Sequence, residues 1–448
     1  MVLSILSALA RIKADVTVHV QATLIEGICR ELGHVWRERV LGPVMTVHAF
    51  LLQVLHGNTA CDHVPHLMGG DFTGEAYCQA RRRLPLALFQ RLLAGVIGSL
   101  KSCCDETGRW FGHRAWFLDG SGCSMPDTPE LQEAFGQPGG QTPGCGFPVA
   151  HLLALFHAGT GMLQKILTAP LRTHDLADAW RMHPELERGD VLVADRGFCS
   201  YAHLAQLVSS GLFGVFRLHQ RIIVSFRKGR IHIPPRPRGR LKKAKGLPRS
   251  RWVRWLGHLD QVVEYYKPAS RPKWITAEAY AALPASILVR ELRYSIEIPG
   301  TRTKEVTLVT TLIDSERYPA EELAQLYFDR WQIEVNLRHL KQTLHMDVLR
   351  SKTVDGVHKE LCMIALAYNL VRLVTCEAAR RQEVQPDRIS FIDALRWLTN
   401  ARPGETLRKL KVHPIRHRCE PRVRKRRPKE YPLMKRPRAE LRNALLEQ

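Results

Sequence analysis

The chain has no run of about 18 consecutive apolar residues, so no membrane-spanning helix is expected. Residues 1–10 are apolar, but they lack a basic start and are too short for a convincing signal peptide. No Cys-x-x-Cys pair occurs among the eleven cysteines, two of which are adjacent at Cys103 and Cys104. That fits reduced thiols in a cytosol better than a disulfide framework. Cys61, His63, His66 and Cys78 are zinc-type ligands, yet their spacing matches no standard zinc module. Internal repeats are absent as well. Acidic residues are scarce, with 43 Asp and Glu against 66 Lys and Arg, a net charge of +23. An excess of this size points to an acidic polymer as partner. A membrane surface fits less well, because the cations do not collect on one amphipathic helix.

What is present is a long, core-forming chain. Its 448 residues, 45% hydrophobic, suffice for two to four domains. Residues 1–105 carry helical periodicity, with helices expected over 20–40, 44–55 and 73–99 and a break at Pro85. Arg81, Arg82 and Arg83 give the last of these a basic cluster, which suits contact with a duplex; packing or oligomerisation would serve equally. The period then changes. Strands are expected over 115–120, 148–156, 162–171, 190–195 and 213–217, with a hairpin signal at 157–161 and helices over 176–186 and 201–209. This order is that of an α/β layer with a mixed sheet, whose sites lie beyond strand ends.

Residues 218–305 interrupt the pattern and read as a β-rich insertion, with short strands over 286–292 and 293–298. Lys, Arg and Pro crowd residues 227–254, among and before Trp252, Trp255, Tyr265, Tyr266 and Trp274. Cations interleaved with aromatics suit nucleic-acid contact, although the rings could also form an ordinary small core. A strand over 305–313 returns to the main pattern, and helices are expected over 357–381 and 391–398. The last 47 residues hold 16 Lys or Arg against 5 acids, an irregular basic tail that either touches DNA or is solvated.

Residues 319–344 open with Pro-Ala-Glu-Glu and contain no further Pro or Gly, which predicts one helix. On it Tyr327, Arg330, Glu334 and Lys341 fall within an arc of roughly 60°. A carboxylate there can hold a metal ion, and the neighbouring cations a phosphate. The same spacing also serves a solvated face, since Arg330 and Arg338 each stand four residues from Glu334. Asp119 and Asp195 end two apolar strand signals and are followed by Gly120 and Gly197, which leave room for substrate. Three carboxylates from two strands and a helix could bind two Mg²⁺ ions for phosphodiester chemistry.

Asp119, Asp195 and Glu334, with Tyr327-x2-Arg330-x3-Glu334-x6-Lys341, resemble the DDE transposases of the insertion-sequence-4 family and their YREK signature. The segments Phe117-Leu-Asp119-Gly and Val193-Ala-Asp195-Arg-Gly-Phe are also similar to that family's first and second acid segments. The resemblance covers roughly residues 105–350. It implies a ribonuclease-H-like mixed-sheet catalytic core over 106–217 and 306–350, interrupted by the β-rich basic insertion at 218–305. A helical DNA-end-binding domain over 1–105 precedes it, and C-terminal helices with a basic tail over 351–448 follow. It further implies metal-dependent cut-and-paste transposition of an insertion sequence. Asp119, Asp195 and Glu334 would be catalytic and bind Mg²⁺, with Mn²⁺ able to substitute; Tyr327, Arg330 and Lys341 would hold DNA. Trp331, beside the signature, would steady an unstacked base or pack on the core. The expected partners are double-stranded DNA, as terminal inverted repeats and target, and a second copy of the chain. The expected location is a bacterial cytoplasm, at the nucleoid. The alternative is a catalytically silent DNA-binding protein derived from a transposase; a general nuclease of the same fold is a third reading.

Overall fold

The computed structural model describes residues 2–106, 108–173, 175–235, 246–296, 305–414 and 434–447. The basic run at 236–245 and most of the tail, 415–433, fall outside them. A nine-stranded sheet runs through the molecule in the order β3-β2-β1-β4-β5-β9-β8-β7-β6. Its strands are β1 Ala115–Ser124, β2 Val149–His157, β3 Leu163–Pro170, β4 Val191–Ala194, β5 Phe213–Arg217, β6 Arg251–Gly257, β7 Asp260–Tyr266, β8 Ser286–Ser295 and β9 Glu305–Thr310. Strands β3, β2 and β1 are antiparallel, β4 and β5 run parallel to β1, and the rest alternate antiparallel.

Alternation along β1 splits the core in two. Phe117 and Cys123 enter one apolar cluster, while Trp116 and Leu118 enter another on the opposite face. The second face is covered by α9 Asp175–Ala179, α10 Tyr201–Ser209 and α11 Ala277–Ala282. The first is covered by the N-terminal helices: α1 Val2–Ile12, α2 Ala14–Val18, α3 Ala22–Glu31, α4 Pro43–Leu55, α5 Val64–Met68, α6 Gly74–Arg83 and α7 Leu86–Glu106. It also receives α8 Pro129–Phe135, α12 Ala320–Asp329, α13 Gln332–Arg338, α14 Val354–Gln382 and α15 Phe391–Thr399. By length and composition α7 and α14 could each cross a membrane. The reading from apolar runs overlooks this; α14 is the core pillar of the fold, with Ile364, Leu370, Val371 and Val374 fully buried.

Several expectations are corrected. The helix expected over 20–40 stops at Glu31, because Gly33 takes a left-handed conformation (φ 67°). That over 176–186 is one short helix followed by a 3₁₀ segment that accommodates Pro184. The strands expected at 286–292 and 293–298 are the single strand β8, paired to β9 along its length. Rather than forming a sheet of their own, β6, β7 and β8 extend the central sheet through β9. The tail is not wholly irregular: α16 Arg438–Leu446 folds back, with Arg438 stacked 3.9 Å from the Phe147 ring centroid and paired to Asp127.

The expected 319–344 helix is interrupted. Backbone bonds tighten at its middle, where Arg330 donates to Tyr327, Trp331 to Phe328 and Glu334 to Trp331, all i to i−3. Five residues later the winding loosens into a π segment, His339–Thr343, closed by Leu344 donating to His339. No Pro or Gly causes this. Overwinding followed by underwinding changes the directions in which successive side chains leave the helix.

Candidate active site

The site is built on register. Arg114 and Asp190 stand immediately before β1 and β4. Their side chains form a buried two-pronged pair, Nε to Oδ1 and Nη2 to Oδ2, both 2.9 Å. Trp116 Nε1 and the Glu187 amide also donate to Asp190 Oδ2, each at 2.9 Å. This clamp fixes Ala115 opposite Val191 and carries the pairing forward to Leu118 opposite Ala194. The next residues, Asp119 and Asp195, therefore leave the ladder side by side. On the following strand Phe216 pairs with Ala194, which brings Arg217 to the same level.

Helix residues close this row from the first face. Tyr327, 4% exposed, donates its hydroxyl to Asp195 Oδ1 at 3.0 Å. Arg330, 6% exposed, lies over the Tyr327 ring at 5.4 Å and points Nη1 at Asp119 Oδ2 from 3.5 Å. Its buried Nε has no hydrogen-bond partner among the described residues. Lys341, in the π segment, donates to Ser121 Oγ at 3.2 Å, two residues beyond Asp119 on the same face of β1. Ile333 and Leu337 anchor α13 in the core, and Glu334 between them stands exposed. Its charge is felt at Asp119, as is that of Asp195. Tyr327, Arg330 and Lys341 thus reach Asp195, Asp119 and the adjoining Ser121 directly, whereas Glu334 acts on Asp119 only through its charge. Trp331 sits on the kink, 44% exposed, not packed into the core.

Electrostatics at Asp119 are opposed. Burial raises its carboxyl above the ordinary value; Arg330 and the Gly120 amide, which donates to Oδ1 at 2.8 Å, act against this, and Asp195 and Glu334 add to the rise. Tyr327 is pushed up by burial, further raised by the Asp195 carboxylate. Negative charge gathered beside hard oxygen donors is what a divalent ion relieves, and a few carboxylates with waters and phosphate oxygens suffice for Mg²⁺. Among the described residues no three His, Cys, Asp or Glu side chains converge tightly enough to hold one ion by themselves. A divalent ion held there would have to take part of its ligand set from water and substrate.

Sequence reasoning missed two features. Arg217 ends an apolar strand just as the two aspartates do, a signal that was available. The Arg114–Asp190 clamp was marked only by an Arg and an Asp each preceding an apolar run. Cys61 and Cys78 do approach one another, but His63 turns to Thr59 at 3.1 Å and no zinc-type cluster forms among the described residues.

The family profile described as Transposase DDE domain matches residues 110–370. The transposase InsG for insertion sequence element IS4 of Escherichia coli is 26% identical over 378 residues, 80% of this chain and 77% of that protein. The putative transposase InsL for insertion sequence element IS186A of Escherichia coli is 49% identical over 47 residues, 10% of this chain and 12% of its own. Among solved structures, a piggyBac transposase synaptic complex with hairpin DNA covers 84% of this chain and 75% of its own at 11% identity, with a TM-score of 0.42. DDE transposases are DNA-acting enzymes that use divalent metal ions. With the matched segment spanning more than half of its length, the chain belongs to the DDE transposases, in the insertion-sequence-4 family.

Proposed function

We propose that Asp119, Asp195 and Glu334 are the catalytic acids and metal ligands of a cut-and-paste transposase, with Mg²⁺ as the ion and Mn²⁺ able to substitute. The observation that carries this is the row formed by Asp119 and Asp195 in register, with the charge of Glu334 acting on it from a kinked helix. Divalent ions, when bound, stabilise the charge that builds on attacking and leaving oxygens. Tyr327, Arg330 and Lys341, with Arg217 beside them, hold backbone phosphates and orient the scissile bond. A buried guanidinium with an unpartnered Nε is suited to that task, since a phosphate oxygen supplies the missing acceptor.

The substrate is double-stranded DNA, first the terminal inverted repeats of an insertion sequence and then a target. Water attacks at an element end and frees a 3′-OH; that 3′-OH then attacks the target strand. Three antiparallel strands followed by two parallel ones support a ribonuclease-H-like core. Residues 1–105 bind the element end, the 218–305 segment and the tail add backbone contacts, and two copies act together, one per end. The cell compartment is the cytoplasm, at the nucleoid.

The test is incubation of the full chain with linear DNA bearing the element's own ends. Mg²⁺ or Mn²⁺ should support end cleavage. Asp119→Asn, Asp195→Asn and Glu334→Gln should each lower it by at least about 10³-fold while DNA binding stays within a few-fold. Binding without nicking under any metal would assign the chain instead to the silent DNA-binding alternative.

A further inference from the structure

The N-terminal helices hold a pair of cysteines that the transposition chemistry does not use. Cys61 lies in the 3₁₀ turn Cys61–His63, and Cys78 on α6, whose other end packs against that turn. Both are free thiols, half-buried, in hydrogen-bond contact with each other. The approach depends on Gly74, four residues before Cys78 and so on the same face of α6. A Cβ at Gly74 would lie 2.8 Å from the Asp62 Cα and amide nitrogen, a clash with backbone that cannot yield cheaply. Absence of that side chain lets the turn settle onto the helix and brings the two sulfurs together.

The surroundings favour a thiolate at one of them. Gln53 Nε2 donates to Cys61 Sγ at 3.9 Å. Arg81 lies over the Phe50 ring at 4.5 Å and donates to Gln53 Oε1 at 3.0 Å, fixed beside the pair. The hydrogen bond from Cys78 brings Cys61 down to about 6; burial opposes this, and Arg81 and Gln53 assist. Cys78 is held up by the same hydrogen bond. The shared hydrogen bond thus favours the thiolate form at Cys61 and the thiol form at Cys78.

We propose that Cys61 and Cys78 are a redox-responsive pair that closes to a reversible disulfide. With a small-molecule disulfide of the glutathione class as oxidant, the Cys61 thiolate attacks one sulfur, breaks the reagent's S–S bond and expels a thiolate that takes a proton. Cys78 then loses its proton, attacks the Cys61 sulfur and expels the second small thiol. Two protein thiols are oxidised and one small disulfide is reduced to two thiols. Pairs of this kind in otherwise reduced proteins are transient and sensing. The bond would pin the turn to α6 next to Arg81, on which the charge of the buried Glu360 of α14 also acts.

The test equilibrates the full-length protein in glutathione buffers from reducing to oxidising, alkylates the remaining thiols and digests without reductant for mass spectrometry. A peptide linking Cys61 to Cys78 should appear at the oxidising end with loss of two of the eleven thiols, and vanish on return to reducing buffer. In the wild type at pH 6.5, brief alkylation should mark Cys61 at least about tenfold faster than buried Cys104 or Cys376. The variant Cys78→Ser should stop at a glutathione adduct on Cys61. Full alkylation of Cys61 and Cys78 at the oxidising end, or oxidation confined to other cysteines such as Cys103 and Cys104, would overturn the proposal.

Discussion

Two guanidiniums face carboxylates along β1, Arg114 just before its first residue and Arg330 at its middle, and their settings differ. Arg114 grips Asp190 through two short bonds, with both side chains 5% exposed. Arg330 reaches Asp119 through one long contact, and that carboxylate is 25% exposed. Removing one partner of a well-formed buried pair costs about 3–5 kcal/mol. Arg114→Ala should therefore lower unfolding stability by that amount in denaturant titration. Arg330→Ala should cost less than that yet abolish end cleavage, since its one carboxylate contact is long and its buried Nε is already without a partner among the described residues. Asp119 itself is a liability in the metal-free protein. A carboxyl whose folded value is raised costs stability wherever it is ionised, and the cost fades as pH falls through the folded value. Asp119→Asn should thus raise Tm at pH 7, with the gain shrinking as the pH drops into the carboxylate range. A lowered Tm at pH 7 would mean that the Arg330 attraction outweighs burial.

At the scale of elements, what was legible followed local pattern. The apolar runs at Phe213–Arg217 and Tyr201–Ser209 gave their strand and helix to the residue, and Pro85 separates α6 from α7 as expected. The neighbouring placement of Asp119 and Asp195 could be read because each follows an apolar run. The kink at Arg330 and Trp331 could not, since no Pro or Gly marks it. β1 runs on through Gly120, Ser121 and Gly122, poor strand formers, because β2 pairs with every one of them. Least visible was the join between the N-terminal helices and the segment after Lys341. Buried Glu360 accepts from Asn58 Nδ2 at 2.6 Å, the Arg350 amide at 2.9 Å and the Ser351 amide at 2.9 Å. Asn58 and Glu360 are 302 residues apart, beyond any periodicity. Glu360→Ala should cost about 3–5 kcal/mol by leaving these donors buried and unpaired, measurable by denaturant unfolding.

For the whole molecule, the charge of +23 sets how binding responds to salt. A protein making 6–10 phosphate contacts loses about 10³–10⁵ in DNA affinity between 50 and 200 mM salt. Titrating a labelled inverted-repeat duplex over that range should show a loss of at least about 10³; a nearly flat response would mean that few phosphates are neutralised. The charge was readable from composition, whereas the union of insertion and core strands in one sheet was not, because strand order is decided by pairings far apart in sequence. So broad a sheet has two open flanks that could template foreign chains. At one flank the Leu163 amide and carbonyl of β3 are both engaged by Asn369 of α14, each at 2.9 Å. At the other, β6 pairs irregularly with β7, shifting register twice, and bears exposed Arg251 and Arg254. Pinned at the first residue of one margin, and crooked and charged along the other, the sheet offers newly made copies a poorer seam along which to zip into fibrils.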